Sequence, residues 1–352
     1  MSVHLRIGFL ASVGITHDSF FPEIVAHLRR LHHSVFLGAG TPSFRVDSTT
    51  ILGLSRRPSP SNWRARSALR DWVRENDLSV VVTSTATASI LARLFVRDCP
   101  VVYFCHGLHW DKNTGTKGAV WKMIETAALK RTAGVITLNS EDEQWFKAHA
   151  PDLKAIRLPF GVGIDPNSYP RTLPRSHTKI QLCWIGEFIQ RKNPADAVRL
   201  ADTLRRNGIS FHLDMLGHGT QYETTKTMVE DLGLEQHITL RGHTPVERYL
   251  TNSDALIHTA RWEGLPRVFL EALAVGRPIF SYDIKGARDI PWTHLTPYGD
   301  TDAMAAGIAH FKWDRLNTFK DLPRLEALSY TAAAEQIAEF VEGLIDEARN
   351  RY

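Results

Sequence analysis

A chain of 352 residues with 43% hydrophobic and 23% charged residues is too long for one ordinary core and fits two domains of about 150–180 residues. No apolar run approaches the ~18 residues of a membrane span, and Met1–Arg6 leads into a strand instead of a signal peptide, so a cytoplasmic location is expected. A net charge of +4 suits a phosphate-bearing ligand or an anionic membrane surface and excludes the dense basic patch of a nucleic-acid binder, so no nucleic acid is expected as a partner.

Strand-length apolar runs alternate with helical patterns from one end to the other, which predicts an α/β protein with parallel sheets covered on both faces. The predicted strands of the first half are Leu5–Ala11, Ser34–Leu37, Val80–Thr83, Val101–Cys105, Val135–Leu138 and Ala155–Leu158. Helices are predicted at Phe20–Arg30, Arg64–Glu75, Thr87–Phe95, Gly118–Arg131 and Glu141–Ala148, the last capped by Ser140. Residues 1–165 form the first expected domain. Residues 166–176, rich in proline and without periodicity, read as the linker. The pattern restarts over 177–330, with strands at Ile180–Ile185, Phe211–Leu216, Ile238–Arg241, Ala255–Thr259 and Ile279–Tyr282. Helical stretches follow at Ala303–Phe311 and Thr331–Arg349. Two Rossmann-like units in tandem result. Cys99, Cys105 and Cys183 are scattered in apolar surroundings, against a disulfide framework or a zinc site.

Polar residues gather where strands run out. Gly14 follows the first strand, and a glycine there can let backbone N–H groups approach a diphosphate, although a plain strand-to-helix turn explains it as well. His106, with Gly107, falls at the carboxyl end of Val101–Cys105, the edge where open α/β sheets bind ligands; His109 and Lys112 follow closely. In the second half, Gly186 leads to Arg191 and Lys192 just before a helix starting at Pro194. Helix N-termini disfavour cations, so this pair points to an anionic ligand. Gly217 closes the next strand, and His243 and Thr244 follow the one after it.

The densest segment is 258–276, His-Thr-Ala-Arg-Trp-Glu-Gly-Leu-Pro-Arg-Val-Phe-Leu-Glu-Ala-Leu-Ala-Val-Gly. A buried strand ends, Gly264, Leu265 and Pro266 make a turn, and an apolar helix begins whose N-terminus attracts an anion. Glu263 can accept hydrogen bonds from sugar hydroxyls, and Glu271, one turn into the helix, can grip a vicinal diol such as ribose. Asp300-Thr301-Asp302 imitates a metal-binding Asp-x-Asp motif, but it precedes a helix with no apolar strand before it, so N-capping accounts for it.

With Lys285-Gly286 and Asp289 following in order, this segment resembles the donor-site signature of family-4 retaining glycosyltransferases of the GT-B fold. The resemblance implies two Rossmann-like domains facing across a cleft, with the last helix, 331–352, crossing back to the first domain. It further implies transfer from a UDP-sugar to an acceptor hydroxyl with no metal or other cofactor. On it, Arg191 and Lys192 neutralise the donor diphosphate, Glu263 and His106 attend the sugar, and Glu271 holds the ribose. Gly14, Gly186, Gly217, Gly264, Leu265 and Pro266 shape the donor pocket, and the backbone around His243 and Thr244 reads the base. The departing phosphate oxygen takes the acceptor proton on the same face. Relatives of this type build surface polysaccharides on lipid-linked carriers, so a lipid-linked acceptor at the inner membrane surface is expected. Six arginines between Arg56 and Arg74, interleaved with Trp63, Leu69 and Trp72, would supply the membrane contact. Other readings are a soluble small-molecule or protein acceptor, a UDP-sugar epimerase on the same fold, and an inactive partner subunit.

Overall fold

The computed structural model describes residues 4–57, 59–108, 110, 115–173, 179–313 and 322–349. His109, Lys112 and residues 174–176 of the expected linker lie outside them. The chain divides into two compact units, Met1–Val162 with Tyr330–Tyr352, and Gly163–Ser329.

The first unit contains β1 (Arg6–Ala11), α1 (Gly14–Phe20), α2 (Pro22–Arg30), β2 (Ser34–Ala39), β3 (Thr49–Thr50), α3 (Ala65–Glu75), β4 (Val80–Thr83) and α4 (Ala86–Phe95). β5 (Val101–Cys105), α5 (Gly115–Leu129), β6 (Gly134–Thr137), α6 (Ser140–His149) and β7 (Lys154–Arg157) complete its first part. The strands pair in parallel in the order β3-β2-β1-β4-β5-β6-β7. Val80–Thr83 and Val101–Cys105 are buried along their whole length, as strands covered on both faces must be.

Three local readings change. The helix expected at Phe20–Arg30 is α2, which starts at Pro22 in its first position, and a further short helix, α1, precedes it over Gly14–Phe20; Pro22 has no N–H to extend the ladder of α1. Asn139, not Ser140, caps α6, its side-chain oxygen accepting from the Asp142 amide at 2.8 Å. β3 was not expected, being two exposed threonines on the sheet edge.

The second unit contains β8 (Ile180–Ile185), α7 (Pro194–Arg206), β9 (Phe211–Leu216), α8 (Tyr222–Asp231), β10 (Ile238–Gly242) and α9 (Val246–Asn252). β11 (Ala255–His258), α10 (Arg267–Val275), β12 (Ile279–Tyr282), β13 (Thr293–Thr296) and α11 (Thr301–Ala309) follow. Its parallel strands run β10-β9-β8-β11-β12-β13, so the order reverses between β8 and β11. Crevices for ligands open at such a reversal, beyond the carboxyl ends of the strands.

The chain leaves the first unit at Val162–Gly163, ahead of the proline-rich 166–176 segment. The described part of that segment is tied to the second unit, because the fully buried Arg277 guanidinium donates to Thr172 O and Thr172 Oγ1, both at 2.7 Å, and to Ser253 O and Thr251 O. The last helix, α12 (Tyr330–Arg349), belongs to the first unit, packs on α2 and buries Ala333, Ala334, Ile337, Ala338, Val341 and Ile345.

Candidate functional site

The crevice between β8 and β11 is charged. The β8 loop carries Arg191 and Lys192, and the β11 loop carries Glu263. Arg191 reaches Glu263 Oε2 at 2.6 Å, and the Lys192 ammonium lies 2.5 Å from Oε1, as an ion pair off the hydrogen-bonding direction. Glu263 is 9% exposed, so both of its oxygens are held by cations in a partly dry setting, where losing one partner costs on the order of 3–5 kcal/mol. Sequence spacing brought these residues together only through a resemblance; the two loops do so physically.

The backbone beneath them is fixed. Arg191 O accepts from the Arg261 amide at 2.8 Å, while Thr259 Oγ1 donates to Asn193 O at 2.9 Å and accepts from the buried Trp184 indole at 3.0 Å. Asn193 caps α7 in the left-handed conformation with φ 53°, its side-chain amide donating to the Asp196 carboxylate, which also accepts from the Tyr282 hydroxyl. Trp262, 53% exposed, stands beneath Arg191 at 5.1 Å.

Glycines let the loops approach one another. Gly217 has φ 129°, and a Cβ there would fall 1.9 Å from Gly186 O; one at Gly286 would fall 2.4 Å from Gly264 O. Gly217 and Gly286 therefore let the backbone at Gly186 and Gly264 come close, while a Cβ at Gly186 itself would meet only ordinary contacts, the nearest at 3.4 Å. Pro266 precedes α10, and Leu265 is half-buried beside it. His243 is exposed and Thr244 half-buried in the loop after β10, at the sheet edge; the Gly217 amide donates to Gly242 O at 2.8 Å, joining that loop to the crevice.

Glu271 lies in α10, buried, with Arg267 Nε at 3.6 Å and the Tyr169 hydroxyl beside it. Burial raises its carboxyl above the ordinary value, while Arg267 and Tyr169 pull it back and Glu247 adds to the rise. Tyr169, Trp262 and His258 escaped the sequence reading. His258 ends β11 inside the quoted motif, and its position at a strand's carboxyl end was the available signal. Its Nδ1 faces Ser281 Oγ at 3.3 Å, and since that hydroxyl donates to Tyr282 O, Nδ1 carries the proton. Burial, then the charges of Lys192 and Arg191, push its imidazole well below the ordinary range and keep it neutral.

The first unit differs at its own strand reversal, between β1 and β4. There Ser12 Oγ accepts from the Ala88 amide and Thr85 Oγ1 from the Ser12 amide. Gly14 packs against the loop after β2: its N–H donates to Thr41 Oγ1 at 2.9 Å, and a Cβ would strike Pro42 O at 2.1 Å. His106 stands after β5, half-buried, stacked on Phe104 at 4.7 Å and flanked by Phe20 at 4.8 Å. Asp300 caps α11 through the Ala303 amide and Asp302 accepts from Thr203 Oγ1, structural tasks for both aspartates. Among the described residues no group of three or more His, Cys, Asp or Glu is arranged to hold a metal ion.

Comparison with known proteins places this geometry. The model of the glycosyl transferase 4-like domain matches residues 19–161, and that of glycosyl transferases group 1 matches residues 167–318. The amylovoran biosynthesis glycosyltransferase AmsK of Erwinia amylovora is 27% identical over 161 residues, 41% of this chain and 39% of that protein. The Escherichia coli UDP-Gal:alpha-D-GlcNAc-diphosphoundecaprenol alpha-1,3-galactosyltransferase is 23% identical over 232 residues, 61% of this chain and 60% of its own. These matches thus span about 40–60% of the curated relatives' length. Anabaena HepE, solved in complex with UDP, superposes with a TM-score of 0.69 at 16% identity over 99% of this chain and 100% of its own. With one family model on each half and the GT-B architecture over nearly its whole length, the chain belongs to the GT-B glycosyltransferases.

Proposed function

We propose that the protein moves a sugar from a UDP-sugar to a hydroxyl of a lipid-linked acceptor in polysaccharide assembly, with retention at the anomeric carbon and without a metal ion. The observation that carries this reading is the Arg191–Glu263–Lys192 group at the strand reversal of the second unit. Two cations there offer a diphosphate what Mg²⁺ would otherwise bring, and a charged hydrogen bond is worth about 1.5–3 kcal/mol, so two provide roughly 10²–10⁴ in rate if they tighten as the bond to the sugar breaks. Glu263 accepts from sugar hydroxyls and Glu271 from the ribose. His106 is assigned to the sugar on the resemblance alone. The leaving phosphate oxygen takes the acceptor proton, since Glu263 and Glu271 are assigned to the sugar hydroxyls and the ribose.

UDP is favoured by two similar proteins: the E. coli relative is named for a UDP-galactose donor and a diphosphoundecaprenol acceptor, and HepE was crystallised with UDP. The first unit also carries a basic face suited to an anionic membrane. Arg56, Arg57, Arg64, Arg66, Arg70, Arg97 and Arg131 have no carboxylate partner among the described residues, and Trp63 is 65% exposed next to Arg66. Leu69 and Trp72, expected to share in that contact, are core residues. No helix of the described residues is long and apolar enough to cross a membrane.

The test is UDP release from a panel of UDP-sugars with a polyprenyl-diphosphate-linked sugar as acceptor and EDTA in excess. Release that depends on the lipid-linked acceptor is expected. Release with soluble acceptors alone would move the acceptor assignment, and no release from any nucleotide sugar would end the reading.

A further inference from the structure

Arg191, Lys192 and Glu263 are assigned opposite tasks, the cations to a diphosphate and the carboxylate to sugar hydroxyls, yet in the ligand-free protein they neutralise one another. Each contact between them engages a donor and an acceptor that the diphosphate and the sugar hydroxyls would otherwise use. We infer that donor binding is a counterion exchange, in which the diphosphate draws Arg191 and Lys192 away from Glu263 and the sugar hydroxyls replace them on its carboxylate, so that Glu263 disfavours the bare nucleoside diphosphate and hastens its release after transfer. The inference rests on the proposed donor reading and adds to it a role in ejecting product.

Three features support it. Glu263 is buried, and a buried carboxylate must keep donors around it, so the cations leave only when hydroxyls arrive. The backbones of Arg191 and Lys192 are pinned, Arg191 O by the Arg261 amide and the Lys192 amide by Ile189 O, which confines the exchange to side chains. Arg191 lies over the Trp262 ring while it holds Glu263, a contact that does not depend on the carboxylate, and its side chain is 29% exposed, open to an incoming phosphate. Once the sugar has gone, Glu263 has lost its hydroxyl donors and competes for the same cations that hold the diphosphate. Product is then bound less tightly than its phosphate contacts alone allow. This is differential binding built into one carboxylate.

Calorimetry on the full chain tests it, with UDP, GDP, ADP, inorganic pyrophosphate and uridine as probes. Glu263→Gln keeps the shape and removes the competing charge. It is expected to bind the preferred nucleoside diphosphate and pyrophosphate about 3- to 10-fold tighter than the wild type, with uridine unchanged. Unchanged or weaker diphosphate binding by a folded Glu263→Gln overturns the exchange and shows the carboxylate organising the cations for the phosphates. A second measurement covers a variant that folds poorly. In the exchange, the wild type binds an intact UDP-sugar at least as tightly as UDP, although UDP carries the more highly charged diphosphate, because only the sugar hydroxyls replace the cations on Glu263; tighter binding of UDP than of every UDP-sugar in a panel counts against it. If the wild type binds none of the three nucleoside diphosphates, the donor reading itself fails, a result distinct from binding without competition.

Discussion

The walls of the crevice depend on single atoms at Gly217, whose left-handed backbone and 1.9 Å clearance to Gly186 O forbid any side chain. Gly208 has φ 71° but nothing within 4 Å of its would-be Cβ, so it separates backbone strain from collision. Gly208→Ala should cost about 1 kcal/mol, the strain alone, whereas Gly217→Ala should cost roughly 3 kcal/mol or more and abolish nucleotide binding. Urea unfolding of the two variants reads the difference, and equal costs would mean the loops can part. His258 gives a pH signature. Its folded-state pKa is depressed, so the unfolded chain takes up a proton near pH 6.5 that the folded chain refuses. Its contribution is therefore complete above pH 6.5 and lost as pH falls below it, with a slope of at most about 1.4 kcal/mol per pH unit. His17, His33 and His294 are shifted in the same direction, so the reading is a difference: His258→Gln should lose less stability than the wild type between pH 7 and pH 5, and parallel curves would show His258 to be solvated.

At the scale of elements, α3 shows how an amphipathic helix divides its work. Ala65, Leu69, Trp72 and Val73 enter the core, which leaves Arg66, Arg70 and Arg74 with Trp63 outside. Arg74 pairs with Asp98, while partial burial and then Arg131, Arg70 and Arg66 hold Arg97 below its ordinary value, a mark of like charges gathered on one face. Liposomes containing anionic lipid should therefore sediment the protein at low salt and release it at high salt, and Arg64, Arg66 and Arg70 changed to Glu should end the binding. Salt-insensitive binding, or the same binding by the variant, would leave the face as a solvated surface. The two tryptophans of this stretch had identical standing in sequence, because helical spacing places Trp72 on the apolar stripe but cannot say where the 3₁₀ turn Pro60–Arg64 will aim Trp63. The strands were legible because parallel, doubly covered strands are continuous apolar runs. β3 and β13 were not, being short polar edges. Arg191, Lys192 and Glu263 were legible as types at strand ends, whereas their mutual pairing depends on the order of β8 and β11 in the sheet, a long-range fact. Gly14 was ambiguous for the opposite reason: a glycine after a strand suits a phosphate or a neighbouring loop equally, and here it packs against the loop at Thr41–Ser43.

For the whole molecule, the division at Gly163 and Ser329 sets where the chain can be cut. A fragment of residues 163–329 retains Thr172 for the Arg277 guanidinium, and one of 177–329 leaves that fully buried group without two of its acceptors. The shorter fragment should be less stable by about 2–4 kcal/mol in urea, and equal stability would show the segment to be dispensable. The longer one should bind UDP by itself if the donor belongs to the second unit. The central claim, that two cations at the β8–β11 reversal hold a nucleoside diphosphate without a metal, is tested most directly by calorimetric titration of the full chain with UDP in excess EDTA, comparing the wild type with the Arg191→Gln, Lys192→Gln double variant. Saturable binding by the wild type, weakened at least 100-fold in a double variant of native circular dichroism, is the predicted result; binding that requires Mn²⁺ or Mg²⁺, or that survives undiminished without both cations, would contradict it.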